Sequence, residues 1–177
     1  MEGWSKVFIM IKAIIFDCFG ILYPEPSGEF FETHRELFRD NSEKLDELNL
    51  KIDLGEIDKA EYFQGLEDMT HISAEEIKKS FDGRIYPDPN MVEFIKKLKP
   101  TYKVALLSNA GREEIAVLYR DKLDTLFDVV TVSYEIKSVK PDPKIFLVSV
   151  ERLGVKPEDL YLSTTFRPIL PLLKNLG

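Results

Sequence analysis

The sequence predicts the α/β fold class, in which a doubly wound parallel sheet carries a small inserted helical cap. Short apolar segments alternate with helical patterns along most of the chain, and this alternation is typical of parallel strands joined by right-handed crossovers. One long stretch in the first half of the chain shows helical patterns alone. A length of 177 residues suits one such domain with a modest insertion.

The first strand is predicted at Lys12 to Phe16, a short and almost wholly apolar run that ends at Asp17. Such a run is typical of a central parallel strand buried on both faces. The further strands are predicted at Lys103 to Leu107, Val129 to Val132 and Leu160 to Leu162. The helices that alternate with them are predicted at Met91 to Leu98, Arg112 to Leu123 and Pro143 to Leu153, the last ended by Gly154.

The helical block between the first strand and the rest of the sheet is predicted to be an insertion. Charged runs and apolar residues at helical spacing extend from Phe30 to about Arg84, and no strand pattern interrupts them. We therefore predict a discontinuous Rossmann-like core at 11–23 and 85–177 and a helical cap at 24–84. Residues 1–10 are expected to form an N-terminal extension, because Met10 stands directly before the first strand as a plausible translation start.

The composition favours a cytoplasmic protein that acts on a small molecule. A formal net charge of -7 argues against a surface built to bind nucleic acid phosphates or an anionic membrane. The single cysteine, Cys18, has no second cysteine in the chain with which to form a disulfide. We therefore predict a small-molecule substrate and no nucleic acid or membrane partner.

Polar residues follow the predicted strands at the edge where α/β folds bind their ligands. Asp17 follows the first strand, Ser108 and Asn109 follow the second, and Lys140 precedes a later helix. A carboxylate can attack an electrophilic phosphorus or carbon atom and form a covalent intermediate that water then hydrolyses. Such chemistry needs a cation and hydrogen-bond donors nearby to hold an anionic substrate, and Lys140 and Ser108 suit those roles.

The segments AIIFDCFGILY, ALLSNA and SVKPDPKIF resemble the first three motifs of the haloacid dehalogenase superfamily, in the same order and at plausible separations. The resemblance extends from about residue 12 to residue 177. It implies a phosphatase that acts on a small phosphorylated metabolite through an aspartyl intermediate. In that comparison Asp17 is the nucleophile, Ser108 and Asn109 bind the transferring group, and Lys140 neutralises the developing charge.

The same resemblance implies a magnesium ion bound by Asp17 and by the backbone carbonyl of Phe19. The family's fourth motif supplies two further acidic residues, and Thr164 and Thr165 occupy their places here. Magnesium prefers anionic oxygen ligands in an octahedral shell, and two hydroxyls replace carboxylates poorly. The sequence therefore predicts an impaired metal site.

Phe19 is a second departure, because phosphatases of this superfamily usually carry an aspartate there as general acid. Its loss typically lowers the rate by about a hundredfold to ten-thousandfold. A metal-independent 2-haloacid dehalogenase needs no such acid, since halide leaves without a proton. A catalytically inactive binding protein would fit Phe19 together with Thr164 and Thr165. These two alternatives stand beside the phosphatase.

A paired frameshift in the source gene or its sequencing would explain the unusual fourth motif. Codons for Ile-Asp-Asp-Phe-Pro-Pro-Asn-Ile-Ala-Ala-Ala-Lys, read one base late, can encode Ser-Thr-Thr-Phe-Arg-Pro-Ile-Leu-Pro-Leu-Leu-Lys, which is the segment from Ser163 to Lys174. We expect resequenced source DNA to encode an acidic pair at residues 164 and 165. Clean threonine codons at both positions would refute this hypothesis.

Overall fold

The computed structural model describes residues 11–25, 27–81 and 85–163, and it shows a four-stranded parallel sheet flanked by helices. The fold class predicted from the sequence is thereby confirmed. Each predicted strand lies within one residue of the observed one at either end. The strands, in the sheet order β3-β2-β1-β4, are β1 (Ala13–Phe16), β2 (Lys103–Ser108), β3 (Val129–Val132) and β4 (Leu160–Ser163).

The register of the sheet brings the carboxyl ends of the strands to one edge. Phe16 at the end of β1 pairs with Leu106 of β2 and with Ser163 of β4. Ser108 at the end of β2 pairs with Val132, the last residue of β3. The residues that directly follow β1 and β2 therefore lie side by side, which is the arrangement expected for a ligand site in this class of fold.

Residues 27–81 form five helices, called the cap below. Aromatic and aliphatic side chains from these helices, among them Phe30, Phe63 and Leu66, form a buried cluster distinct from the two clusters that flank the sheet. The domain limits at 24–84 stay a prediction. The helices are α1 (Gly28–Thr33), α2 (Arg35–Phe38), α3 (Ser42–Asp53), α4 (Lys59–Thr70) and α5 (Ala74–Phe81), with a short 3-10 helix at Arg39–Asn41.

The other helices cover both faces of the sheet. Alternate residues of β1 point to opposite faces, because strand side chains alternate: Ile14 and Phe16 belong to one buried cluster and Ala13 and Ile15 to the other.

No helix of the described segments is long and apolar enough to cross a bilayer. The helices are α6 (Pro89–Leu98), α7 (Arg112–Arg120), α8 (Ser133–Ile136) and α9 (Pro143–Leu153), with 3-10 turns at Asp124–Leu126 and Pro157–Asp159.

The loop before α9 is fixed by the start of that helix. Asp142 caps α9, since its side chain accepts a hydrogen bond from the Lys144 N–H at 2.9 Å, and Pro143 occupies the first helical position. The Ser138 hydroxyl donates to the same Asp142 carboxylate at 3.0 Å. The segment between them, which contains Lys140, is therefore held at both ends.

Candidate active site

Asp17 and Lys140 form an ion pair at the carboxyl edge of the sheet. The distance from the Lys140 Nζ to the Asp17 Oδ2 is 2.6 Å, and Lys140 is only 6% exposed. The same ammonium donates to the Leu107 carbonyl at 3.2 Å, while the Asp17 Oδ1 accepts from the Cys18 N–H at 2.9 Å. Both charges are compensated with good geometry, as a buried pair requires, so the carboxylate is held in one orientation toward incoming substrate.

Asn109 fixes the backbone of Lys140 with two hydrogen bonds. Its side-chain Oδ1 accepts from the Lys140 N–H at 2.7 Å, and its Nδ2 donates to the Lys140 carbonyl at 3.1 Å. The structure thus shows Asn109 as a positioning residue for Lys140. Its predicted contact with the transferring group stays a prediction.

Ser108 lies at the end of β2 and is only 1% exposed. It lines the same cavity as Asp17 and Lys140, and its Oγ lies 3.4 Å from the Asn109 carbonyl oxygen, at the long limit of a hydrogen bond. Because this contact is weak, the hydroxyl can turn toward an anion in the cavity. Its role in binding the transferring group stays a prediction.

Cys18, the residue after the candidate nucleophile, is an inert thiol in this structure. Burial, and next the neighbouring Asp17 carboxylate, raise the pKa of Cys18 to about 12. The reactive form of a cysteine is the thiolate, and a thiol with this pKa stays protonated at neutral pH. Cys18 is therefore not a candidate nucleophile, and the assignment of Asp17 as the nucleophile stays a prediction.

The residues present could hold a magnesium ion only in part. The Asp17 carboxylate is one suitable ligand, and no described residue donates a hydrogen bond to the Phe19 carbonyl, which leaves that oxygen available. Across the described segments, no group of three or more His, Cys, Asp or Glu side chains could hold a metal by itself. Thr164 and Thr165 lie outside the described residues. Magnesium sites commonly use one or two carboxylates and complete the shell with water and substrate phosphate.

A cavity of about 510 Å³ lies between the sheet edge and the cap. The four predicted site residues that belong to the core domain line it, and these are Asp17, Ser108, Asn109 and Lys140. This size suits a small metabolite. Phe19 lines it too. The cavity also has polar lining residues that the sequence analysis did not single out, and these are Glu25, Ser27, Asn49, Asp53, Lys59, Tyr62 and Glu114.

Asp53, at the end of α3, is a carboxyl group of this cavity with a raised pKa. Burial, and next the charge of Glu114, raise its pKa to about 7, while Lys140 acts in the opposite direction. Tyr62 has its own pKa raised by burial and then by Asp53, and its hydroxyl donates to the Asn49 Oδ1 at 2.7 Å. Perturbed groups that converge in a cavity are typical of functional sites.

Lys59 and Glu114 join the cap to the core across the cavity. The Lys59 Nζ lies 3.3 Å from the Glu114 Oε1. The other Glu114 oxygen, Oε2, is buried and has no hydrogen-bond partner among the described residues. In sequence both residues look like ordinary charged positions on helix surfaces, and only their meeting across the cavity distinguishes them.

Comparison with known proteins gives a consistent picture. A family model described as haloacid dehalogenase-like hydrolase matches residues 11–161. The chain is 31% identical over 180 residues to a phosphorylated carbohydrates phosphatase of Thermotoga maritima, a match that covers 94% of this chain and 82% of that protein. It is 39% identical over 74 residues to an (S)-2-haloacid dehalogenase of Burkholderia cepacia, a match that spans 41% of this chain but only 32% of the dehalogenase.

Among solved structures, the chain is similar to a HAD family enzyme from Bacteroides thetaiotaomicron, crystallised as a magnesium complex. The TM-score is 0.73 at 25% sequence identity, and the match covers 94% of this chain and 90% of that one. The likeness extends over cap and core together, because it includes nearly the whole of both chains.

Proposed function

Because the chain belongs to the haloacid dehalogenase-like hydrolase family, we propose that this hydrolase is a phosphatase that acts on a small phosphorylated metabolite. The observation that carries the proposal is the Asp17–Lys140 pair, which lies at the carboxyl edge of the sheet and lines the cavity between the sheet and the cap. The phosphatase from Thermotoga maritima, which matches over most of its length, supports the same substrate class.

In this proposal the Asp17 carboxylate attacks phosphorus and forms an aspartyl phosphate. Lys140 compensates the negative charge of the phosphoryl group, and Asn109 keeps Lys140 in place through its backbone. Ser108 donates its hydroxyl to a phosphoryl oxygen. The cap residues keep bulk water from the intermediate, which strengthens each electrostatic contact inside the cavity.

We also propose that Mg²⁺ is the cofactor, held by the Asp17 carboxylate and the Phe19 carbonyl. When bound, it would neutralise phosphoryl charge next to the nucleophile. The magnesium complex of the related Bacteroides thetaiotaomicron enzyme supports this assignment. The cytoplasmic location inferred from composition is a further proposal.

The dehalogenase remains a second candidate, favoured by Phe19 and by the partial match with the Burkholderia cepacia enzyme. The two functions differ in leaving group and metal requirement, since halide leaves without a proton and a carboxylate can displace it from carbon without a metal. Phosphate release from phosphomonoesters and halide release from 2-haloacids, each measured with magnesium and with a chelator, separate them. We expect phosphate release that a chelator abolishes. Metal-independent halide release would establish the dehalogenase. Release of neither product from folded protein would refute the phosphatase proposal for these substrates and favour the catalytically inactive binding protein.

Restoring acids at the fourth motif should raise phosphatase activity. We expect the double variant Thr164→Asp/Thr165→Asp to release phosphate at least about tenfold faster than the unaltered chain at the same magnesium concentration, because carboxylates are far better magnesium ligands than hydroxyls. The matched control is Thr101→Asp, a threonine just before β2 at the amino edge of the sheet, which does not line the cavity and should leave the rate unchanged. An unchanged or lower rate in the double variant would refute the assignment of these two positions to the metal.

A further inference from the structure

We propose that Asp53 donates the proton to the leaving group, the role for which relatives use an aspartate at the position of Phe19. The proposal rests on the phosphatase function above and deepens it by adding a catalytic residue. It explains how a chain with an apolar ring at that position could still cleave ordinary alkyl phosphates. Three features of the cavity carry it.

The first feature is the direction in which the leaving group must point. In phosphoryl transfer the attacking and leaving oxygens lie roughly in line on opposite sides of phosphorus. The nucleophile, Asp17, stands on the sheet edge at the floor of the cavity. The leaving oxygen must therefore point away from the sheet and toward the cap, where Asp53 lines the same cavity at the end of α3.

The second feature is that the Asp53 carboxyl group makes no hydrogen bond or ion pair within the part of the chain that the structure describes. None of the hydrogen bonds or ion pairs found among these residues involves its side-chain oxygens. The other carboxyl groups of the cavity each have a partner: Lys140 for Asp17 at 2.6 Å, Lys59 for Glu114 at 3.3 Å and Ser27 for Glu25 at 3.0 Å.

The third feature is that Asp53 is tied to the core although it belongs to the cap. The Ser133 hydroxyl, at the start of α8, donates to the Asp53 carbonyl at 2.5 Å and accepts from the Ala110 N–H at 3.0 Å. Lys137 donates to the carbonyl of the next residue, Leu54. A proton donor must keep its distance to the reacting atoms, and these bonds hold the backbone of Asp53 against the core that carries Asp17.

The protonation state of Asp53 agrees with this role. A general acid works best with a pKa near the working pH, and the pKa of Asp53 is raised to about 7. The charged groups that act on it are Glu114 from α7, Glu25 from the loop before α1 and Lys140 from the loop before α9. Burial and the two carboxylates favour its neutral form, and only Lys140 opposes them.

The reaction then balances without a further co-reactant. As the bond between Asp17 and phosphorus forms, the bond from phosphorus to the leaving oxygen breaks, and that oxygen takes the electron pair and the Asp53 proton. The alcohol departs and leaves Asp53 as a carboxylate. This carboxylate accepts a proton from the water that attacks phosphorus, the bond to Asp17 breaks, and phosphate is released with Asp53 protonated again.

The test compares leaving groups in the full-length Asp53→Asn variant. The substrates are p-nitrophenyl phosphate, whose leaving group needs no proton, and a set of alkyl phosphate monoesters, whose leaving groups do. We expect kcat/KM for the alkyl esters, which reports the steps up to release of the alcohol and not the later hydrolysis of the aspartyl phosphate, to fall by about a hundredfold to ten-thousandfold. For p-nitrophenyl phosphate we expect kcat/KM to fall by less than about tenfold, since proton donation contributes little to the departure of such a group.

The controls distinguish a wrong assignment of the proton donor from a wrong assignment of the phosphatase function. Asp46→Asn makes the same chemical change at an exposed position of the same helix and should leave kcat/KM for both classes of ester unchanged, and Asp53→Glu should recover part of the alkyl activity. Activity on p-nitrophenyl phosphate shows that a variant is folded. Equal loss of kcat/KM on both classes in Asp53→Asn would overturn the proton-donor role alone. Absence of Asp17-dependent phosphate release from the unaltered chain would overturn the phosphatase function and this role with it.

Discussion

Asp17→Asn should abolish phosphate release, with a loss of at least about a thousandfold, because an amide cannot form the covalent intermediate. The substitution keeps the size of the side chain and an oxygen that can still accept a hydrogen bond from Lys140, whose ammonium lies 2.6 Å from the carboxylate in the structure. The loss should therefore appear in kcat for every ester, whatever its leaving group. Phosphate release at saturating substrate is the measurement.

The matched control for this prediction is Asp46→Asn, the same chemical change at an exposed position on α3. It should leave kcat within experimental error of the unaltered chain. Thermal unfolding of both variants shows whether a loss of activity reflects a loss of fold. An Asp17→Asn protein that is folded and keeps a tenth or more of the activity would exclude Asp17 as the nucleophile.

The sheet could be predicted closely because strand residues buried on both faces leave a strong signal. The predicted strand Lys12 to Phe16 lies within one residue of the observed strand Ala13–Phe16, whose four residues are all buried, because a short apolar run that ends at a polar residue is typical of a strand inside a parallel sheet. The helix that begins at Pro89 was predicted two residues late. Its first turn is stabilised by Asp88, whose side chain accepts a hydrogen bond from the Asn90 N–H at 2.8 Å. The apolar periodicity that predicts a start at Met91 does not include such a polar cap.

The core half of the candidate site was also predictable, because topology brings strand ends together whatever the details of packing. Asp17, Ser108 and Lys140 could be placed in one site from their positions after or between predicted elements. The actual use of Asn109 could not be foreseen, since its contacts to the Lys140 backbone depend on the path of one loop.

The part of the site where the cap meets the core could not be predicted, for a physical reason. Asp53, Lys59 and Glu114 belong to three different helices, and nothing in a single sequence fixes how a cap helix lies against a core helix. A charged residue near a helix end is usually solvated, and its sequence context does not change when a neighbouring element buries it. Only the assembled cavity raises the pKa of Asp53.

Lys140→Met should lower phosphate release by about a hundredfold to a thousandfold, the loss typical when one preorganised charge is removed from a site of this kind. Methionine keeps much of the length and the apolar stem of lysine. It cannot compensate the phosphoryl charge, however, nor the Asp17 carboxylate, whose side chain is only 13% exposed. Lys144→Met, the same change at an exposed position in α9, is the matched control and should retain full activity. Retention of full activity in Lys140→Met would exclude Lys140 from the charge-neutralising role.

The stability of the same variants tests whether the two charges depend on one another. Removing either partner leaves the other uncompensated in a nearly buried position, a change that typically costs about 3–5 kcal/mol. Asp17→Asn leaves an ammonium that is 3% exposed without its counter-charge, and Lys140→Met leaves a carboxylate without its counter-charge. The double variant leaves no such charge. Its free energy of unfolding should therefore lie above the value expected from adding the two single losses, by about 0.5–3 kcal/mol. Denaturant unfolding of the four proteins measures this coupling. Strict additivity would mean that the two side chains do not stabilise each other in solution, and that the nucleophile is held in place by its neighbouring backbone instead.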